Sequence, residues 1–239
     1  MKKYLMIAAM AAMALTASAQ DKVEATLGAD IVSKYVWRGG NMDDAAVQPT
    51  LGISYKGLSL TAWGSYGITG GSDVTKELDL TLAYTVGGFN VGITDYYVAG
   101  DESVKYFLYK SHETAHTFEA NVGYDFGFLS FQWYTNFAGS DGTTQKGKRA
   151  YTSYMELNAP FKLAGLDWNA TVGAVPYSAG NGYYAANASG FAVTNVALKA
   201  CYDINITKNF SLPLYAQIIG NPSTQKAYFV FGFTLQPKL

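Results

Sequence analysis

Residues 22–38 read KVEATLGADIVSKYVWR. Taken at period two, Val23, Ala25, Leu27, Ala29, Ile31, Ser33, Tyr35 and Trp37 fall on one side. Lys22, Glu24, Thr26, Gly28, Asp30, Val32, Lys34, Val36 and Arg38 fall on the other. Successive strand side chains point to opposite faces, so the spacing predicts one extended strand, apolar on one face and charged on the other. An ordinary globular strand runs about 5–6 residues, whereas a tilted strand crossing a bilayer needs about 9–11. The length therefore points to a membrane-spanning strand that runs on past the interface.

The same alternation recurs downstream. It predicts further strands over 46–55, 58–68, 76–86, 88–98, 114–125, 128–138, 150–160, 166–176, 190–203, 210–219 and 226–236, twelve with the first. The cleanest is 76–86, where Leu78, Leu80, Leu82, Tyr84 and Val86 alternate with Glu77, Asp79, Thr81, Ala83 and Thr85. In 88–98 the phase breaks at Asp95, which predicts a bulge or the end of a lipid-facing band. Pro49 and Pro213 each remove a ladder donor, and bulges are expected there too.

The connections carry a second regularity. Those at 56–57, 87, 125–127, 161–165 and 204–209 are short. Those at 39–45, 69–75, 99–113, 139–149, 177–189 and 220–225 tend to be longer and rich in Gly, Ser and Asp. Short turns at one end and long loops at the other, with an even number of antiparallel strands, are how bacterial outer-membrane barrels are built. A soluble sandwich or lipocalin-like barrel also alternates, but has no reason to sort its loops in this way. The fold class expected is all-β, an antiparallel transmembrane barrel of about twelve strands whose apolar stripe faces lipid and whose polar stripe faces the lumen. Tyr35, Trp37, Tyr55, Tyr66 and Tyr202, near strand ends, would form the interfacial aromatic girdles.

Composition agrees. The chain opens MKKYLMIAAMAAMALTASAQ, a basic start, an apolar run and an Ala17-Ser18-Ala19 processing site. That is the pattern of a secretory signal peptide over 1–19, leaving a single barrel domain over 20–239. Its removal takes Lys2 and Lys3 from 17 basic residues, leaving 15 against 18 acids. Such a balance gives no footing for nucleic acid. Cys201 is the one cysteine, so neither a disulfide framework nor a CxxC metal pair is available, and no cofactor or metal is expected.

His112-Glu113-Thr114-Ala115-His116 matches the H-E-x-x-H pattern of zinc proteases. That chemistry needs a helix to bring both His to one face. On a strand, positions i and i+4 lie about 13 Å apart at about 3.3 Å per residue, too far to share a zinc. The match reads as coincidence at a loop–strand junction. A lipid hydrolase at the barrel rim using His116 is a further alternative, although no G-x-S-x-G elbow is present.

The lumen-phase charges are the better candidates. Asp30, Lys34, Arg38, Glu77, Asp79, Glu119, Glu156, Asp167 and Lys199 are predicted to point inward and set ion preference. Lys34 and Arg38, on the outer half of the first strand, would face acids across the lumen.

The segment Ser33-Lys34-Tyr35-Val36-Trp37-Arg38-Gly39, followed by Gln48-Pro49 and by Leu60-Thr61-Ala62-Trp63-Gly64-Ser65, resembles the opening of the TorF-type porin family. The Leu78-Asp79-Leu80 strand and the run from Val91 through Tyr96 and Tyr97 are similar to that family's middle portion. The resemblance covers roughly 22–98 and implies an outer-membrane barrel of porin type. The C-terminal Gln236-Pro237-Lys238-Leu239 departs from the terminal aromatic of such barrels.

The function expected is passive diffusion of small hydrophilic solutes or ions, with no enzymatic activity. The partners expected are the lipid bilayer, the solutes and the outer-membrane assembly machinery. The alternative is a closed outer-membrane barrel acting as an adhesin or scaffold through loops 99–113 and 177–189, with Tyr183, Tyr184 and Phe191 as contact residues.

Overall fold

The computed structural model describes residues 22–69, 74–99, 104–110, 113–144, 146–177, 183–184, 186, 190–207 and 210–237; the expected signal peptide lies outside them. The chain forms β1 (Glu24–Val32), β2 (Tyr35–Trp37), β3 (Gly40–Asp43), β4 (Ala46–Tyr55), β5 (Leu58–Gly67), β6 (Lys76–Val86) and β7 (Phe89–Ala99). It continues with β8 (His116–Asp125), β9 (Ser130–Gly139), β10 (Ser153–Leu163), β11 (Leu166–Val175), β12 (Ala192–Thr207), β13 (Phe210–Asn221) and β14 (Lys226–Pro237). All but β2 and β3 join one closed, antiparallel, twelve-stranded barrel, in which β1 pairs with β4 on one side and with β14 on the other.

The alternation sorts as expected. On β6, Leu78, Leu80, Leu82, Tyr84 and Val86 are exposed on the outer wall. They continue sideways into Leu58 and Leu60 on β5 and into Phe89, Val91 and Ile93 on β7. The opposite phase puts Asp79, Thr94, Glu119, Gln132, Asn158 and Thr171 inside. An apolar band on the outside of a closed barrel, with polar residues within, is a lipid-facing architecture: every backbone donor and acceptor in the wall finds a partner strand where no water is at hand. Tyr55, Tyr66 and Tyr202 are exposed outward, as girdle residues would be.

The short ends close as tight turns. Lys56-Gly57 and Ala164-Gly165 have positive φ at both central residues, the primed geometry whose twist matches the flanking strands. Two strands run further than expected here, β10 to Leu163 and β12 to Thr207, because their alternation continues to the turn itself.

Three local expectations are corrected. Pro49 and Pro213 make no bulge: register is kept on both sides, and the pairing is interrupted only opposite β5 and β14 respectively. A missing N–H removes ladder bonds without inserting a residue. Nor does Asp95 sit at a bulge, because β7 pairs without a shift to both β6 and β8. The carboxylate stands on the outer wall and is met there by His116, with its Oδ1 2.7 Å from Nδ1.

The largest correction concerns the opening strand. It does not run to Arg38 but leaves the wall after Val32. Ser33 marks the exit: its N–H donates to the Phe231 carbonyl (2.8 Å), and its Oγ accepts from the Phe231 N–H (2.9 Å). Residues 35–43 then form the β2–β3 hairpin, which folds into the barrel before the chain rejoins the wall at Ala46. Tyr35 and Trp37, expected in a lipid-facing girdle, are lumen residues instead.

Candidate functional site

The hairpin turns on Arg38 and Gly39, with φ of 49° and 83°, between paired Trp37 and Gly40. Positive φ at both central positions is the type I′ requirement, and Gly meets it without strain. Arg38 is a non-glycine residue in the left-handed region, which is uncommon and held only where the surroundings enforce it.

Those surroundings come from the whole circumference. Arg38 is 7% exposed and Glu119, on β8 across the lumen, 2%. They meet in a two-pronged ion pair, Nη1–Oε2 at 2.5 Å and Nη2–Oε1 at 2.8 Å. Tyr96 of β7 donates to Glu119 Oε1 (2.8 Å), and Tyr184, from the loop between β11 and β12, donates to Oε2 (2.9 Å). Arg38 Nη1 also donates to the Tyr184 hydroxyl (3.1 Å). The guanidinium plane lies 4.1 Å from the Tyr134 ring centre, 4.5 Å from Trp37 and 4.7 Å from Tyr154, within cation–π range of each.

Burial works against the Arg38 charge, but the adjacent Glu119 carboxylate outweighs it and raises the guanidinium well above its ordinary value. The pair is therefore a fixed ionic contact. Burial, then the Glu119 charge, push the Tyr184 phenol well above its ordinary range, so it stays a donor. Tyr35, edge-on to Trp63 of β5 at 5.7 Å, behaves alike: burial and the carboxylates of Glu77 and Asp79 raise it strongly. On the remaining side, the Gly39 carbonyl accepts from Asn221 Nδ2 of β13 (3.0 Å). A Cβ on Gly39 would fall 1.8 Å from the Thr194 carbonyl oxygen of β12. The tip thus bears on β5, β7, β8, β9, β10, β12 and β13, and fills the outer part of the lumen.

The predicted charges divide accordingly. Arg38, Glu77, Asp79 and Glu119 converge on the hairpin. Asp30, Glu156 and Lys199 line the lumen: Asp30 accepts from Thr234 Oγ1, Glu156 from Tyr154 and Asn158, and Lys199 Nζ lies 3.7 Å over the Tyr215 ring. Lys34 faces no acid across the lumen; it pairs with Asp44 at the hairpin's own root. Asp167 pairs with the exposed Lys162 at the short-turn end, outside the lumen body. Both exceptions arise because a nearby partner on the same connection captures the charge first.

Sequence reasoning missed the aromatic ring of the site: Trp37, Tyr96, Tyr134, Tyr154 and Tyr184. A signal existed, since Tyr96, Tyr134 and Tyr154 sit on the polar phase of their strands beside Thr94, Gln132 and Glu156. Of the H-E-x-x-H pattern, His112 lies outside the described residues, and His116 opens a strand with Nε2 on the Tyr106 carbonyl (2.6 Å).

No family model matches the chain, and no curated protein does. Among solved structures, the KdgM porin is similar in fold at 7% identity and a TM-score of 0.45, covering 88% of this chain and 98% of its own. The Salmonella typhi outer membrane phospholipase dimer with bound calcium aligns at 11% identity and a TM-score of 0.39, over 89% and 90%. Salmonella typhi OmpF in complex with daunomycin aligns at 10% and 0.36, over 90% and 97%. Likeness at this level carries no argument about activity.

Proposed function

We propose that this protein is an outer-membrane, porin-like barrel of the kind the TorF-type resemblance implies. It admits small hydrophilic solutes or ions, and the β2–β3 hairpin gates its outer end. The observation that carries the reading is a polar lumen that, among the described residues, continues below the hairpin. Thr61, Thr81, Asn90, Asn121 and Asn169 line the lumen phase towards the short-turn end and are only half-buried, whereas the residues around Arg38 are sealed. A polar interior is common to open and closed barrels; the exposure these residues keep below the sealed hairpin is what supports passage.

The plug is suited to movement. It is tied by side chains rather than by the barrel ladder, and a gate requires contacts that can be exchanged as a unit. The test is single-channel conductance of refolded 20–239 in planar bilayers, beside Arg38→Ala and Glu119→Gln. The expected result is a small or intermittent current in the parent chain and a several-fold larger, steadier one in both variants. A correctly inserted barrel that stays silent in all three would end the reading and leave the closed scaffold.

A further inference from the structure

On the outer wall, β7 and β8 carry a second construction that the lumen does not use. Asp95 pairs with Leu80 and Phe118, both on the outward phase, so its carboxylate stands within the lipid-facing rows. A charge there is destabilising unless it is covered. It is covered by residues 104–110, a strap lying against the outside of the barrel. His116, 0% exposed, is the clamp: Nδ1 bonds to Asp95, and Nε2–H donates to the Tyr106 carbonyl. The Tyr97 hydroxyl donates to the Val104 carbonyl (3.1 Å), and the Tyr109 ring packs 4.3 Å from His116 and 6.4 Å from Phe118.

The strap reads Lys105-Tyr106-Phe107-Leu108-Tyr109-Lys110, four apolar or aromatic residues between two lysines. Phe107 is 86% exposed and Tyr109 50%. In water, an exposed Phe forgoes the stabilisation that burial of its ring would give. Beside the strap, the outward Phe118 and Phe137 rings stand 6.3 Å apart, and Phe137 is exposed on the lipid-facing wall. Aromatic residues at the interface, flanked by basic side chains reaching for phosphates, are how segments lie in a leaflet. The Lys110–Glu113 pair is exposed and weak, so it does not withhold Lys110 from another anion.

We infer that residues 104–110 form a lipid anchor, with Phe107 inserted beside the barrel wall and Lys105 and Lys110 on the phosphates of anionic lipid head groups. The anchor rests on the membrane-spanning reading of the barrel. It goes beyond that reading in placing a loop segment within the leaflet and giving it a preferred head group.

The test uses full-length mature chain in a Cys201→Ser background, with Phe107→Cys carrying a small fluorophore. The protein is reconstituted into equimolar phosphatidylcholine and phosphatidylglycerol, with one lipid at a time brominated in the upper acyl chain. Quenching of Trp133 and Trp168, on the outward strand phases, reports insertion of the barrel itself. The expected result is a strongly quenched label, with brominated phosphatidylglycerol at least about twofold more effective than brominated phosphatidylcholine. Lys105→Gln/Lys110→Gln should abolish that difference. Quenched tryptophans with an unquenched label would place the strap in water and overturn the anchor. Equal quenching by both lipids would overturn the head-group preference. Unquenched tryptophans would overturn the membrane reading beneath it.

Discussion

Arg38 and Gly39 decide the state of the lumen. Removing one partner of a buried, hydrogen-bonded ion pair costs about 3–5 kcal/mol, because the other charge is stranded. Arg38→Ala should therefore undock the hairpin rather than merely loosen it, exposing the amides of 35–43 to hydrogen exchange while the wall stays protected. Lysine is no substitute at this position. It has neither the planar fork for both Glu119 oxygens nor the flat face for Tyr134, and Arg38→Lys should give a current between those of the parent and Arg38→Ala. At Gly39, a left-handed φ and the 1.8 Å approach to the Thr194 carbonyl act together. Gly39→Ala should raise conductance several-fold while the folded barrel's gel mobility stays unchanged. Lys34→Ala is the contrasting case: its pair with Asp44 is exposed, worth at most about 1 kcal/mol, and gating should barely respond.

At the scale of elements, the hairpin and the wall are separable. The wall closes through β1 pairing with β4 and β14, whatever residues 35–43 do. Replacing 35–43 by a short Gly-rich turn should leave a heat-modifiable, fully β barrel with a permanently open lumen; loss of the folded band on a semi-native gel would refute that separation. The register of neighbouring strands also serves the site. Tyr154 lies across Gly173 on the paired β11, whose added Cβ would meet the Tyr154 hydroxyl at 1.8 Å. Gly173→Ala should displace Tyr154 from beneath the guanidinium and shift gating in the same direction as Gly39→Ala, though more weakly.

At the scale of the whole molecule, the opened lumen would be acidic. Asp30, Glu77, Asp79, Glu119 and Glu156 face inward against Lys199, and undocking takes Arg38 away from Glu119. Rings of carboxylates favour cations, so the hairpin-less barrel should show a cation-selective reversal potential in a salt gradient. Glu77→Gln/Asp79→Asn should move that potential towards zero, and an unchanged cation preference would sink the assignment of these residues to the conduction path.

Strand number, the two faces of the wall, the sorting of short and long connections and most inward charges were legible in the sequence, because each follows from a period of two and from local turn chemistry. The same locality explains the failure at residues 33–43. A hairpin arm alternates as a wall strand does, so KYVWR reads equally well in either place. Only contacts between positions far apart in the chain separate the two, such as Arg38 with Glu119, 81 residues away, and Tyr184 with Arg38, 146 away. The sequence by itself determined that this chain closes into a lipid-facing barrel. Whether its opening segment builds the wall or fills the lumen was settled in three dimensions, where one guanidinium could reach one carboxylate only from inside.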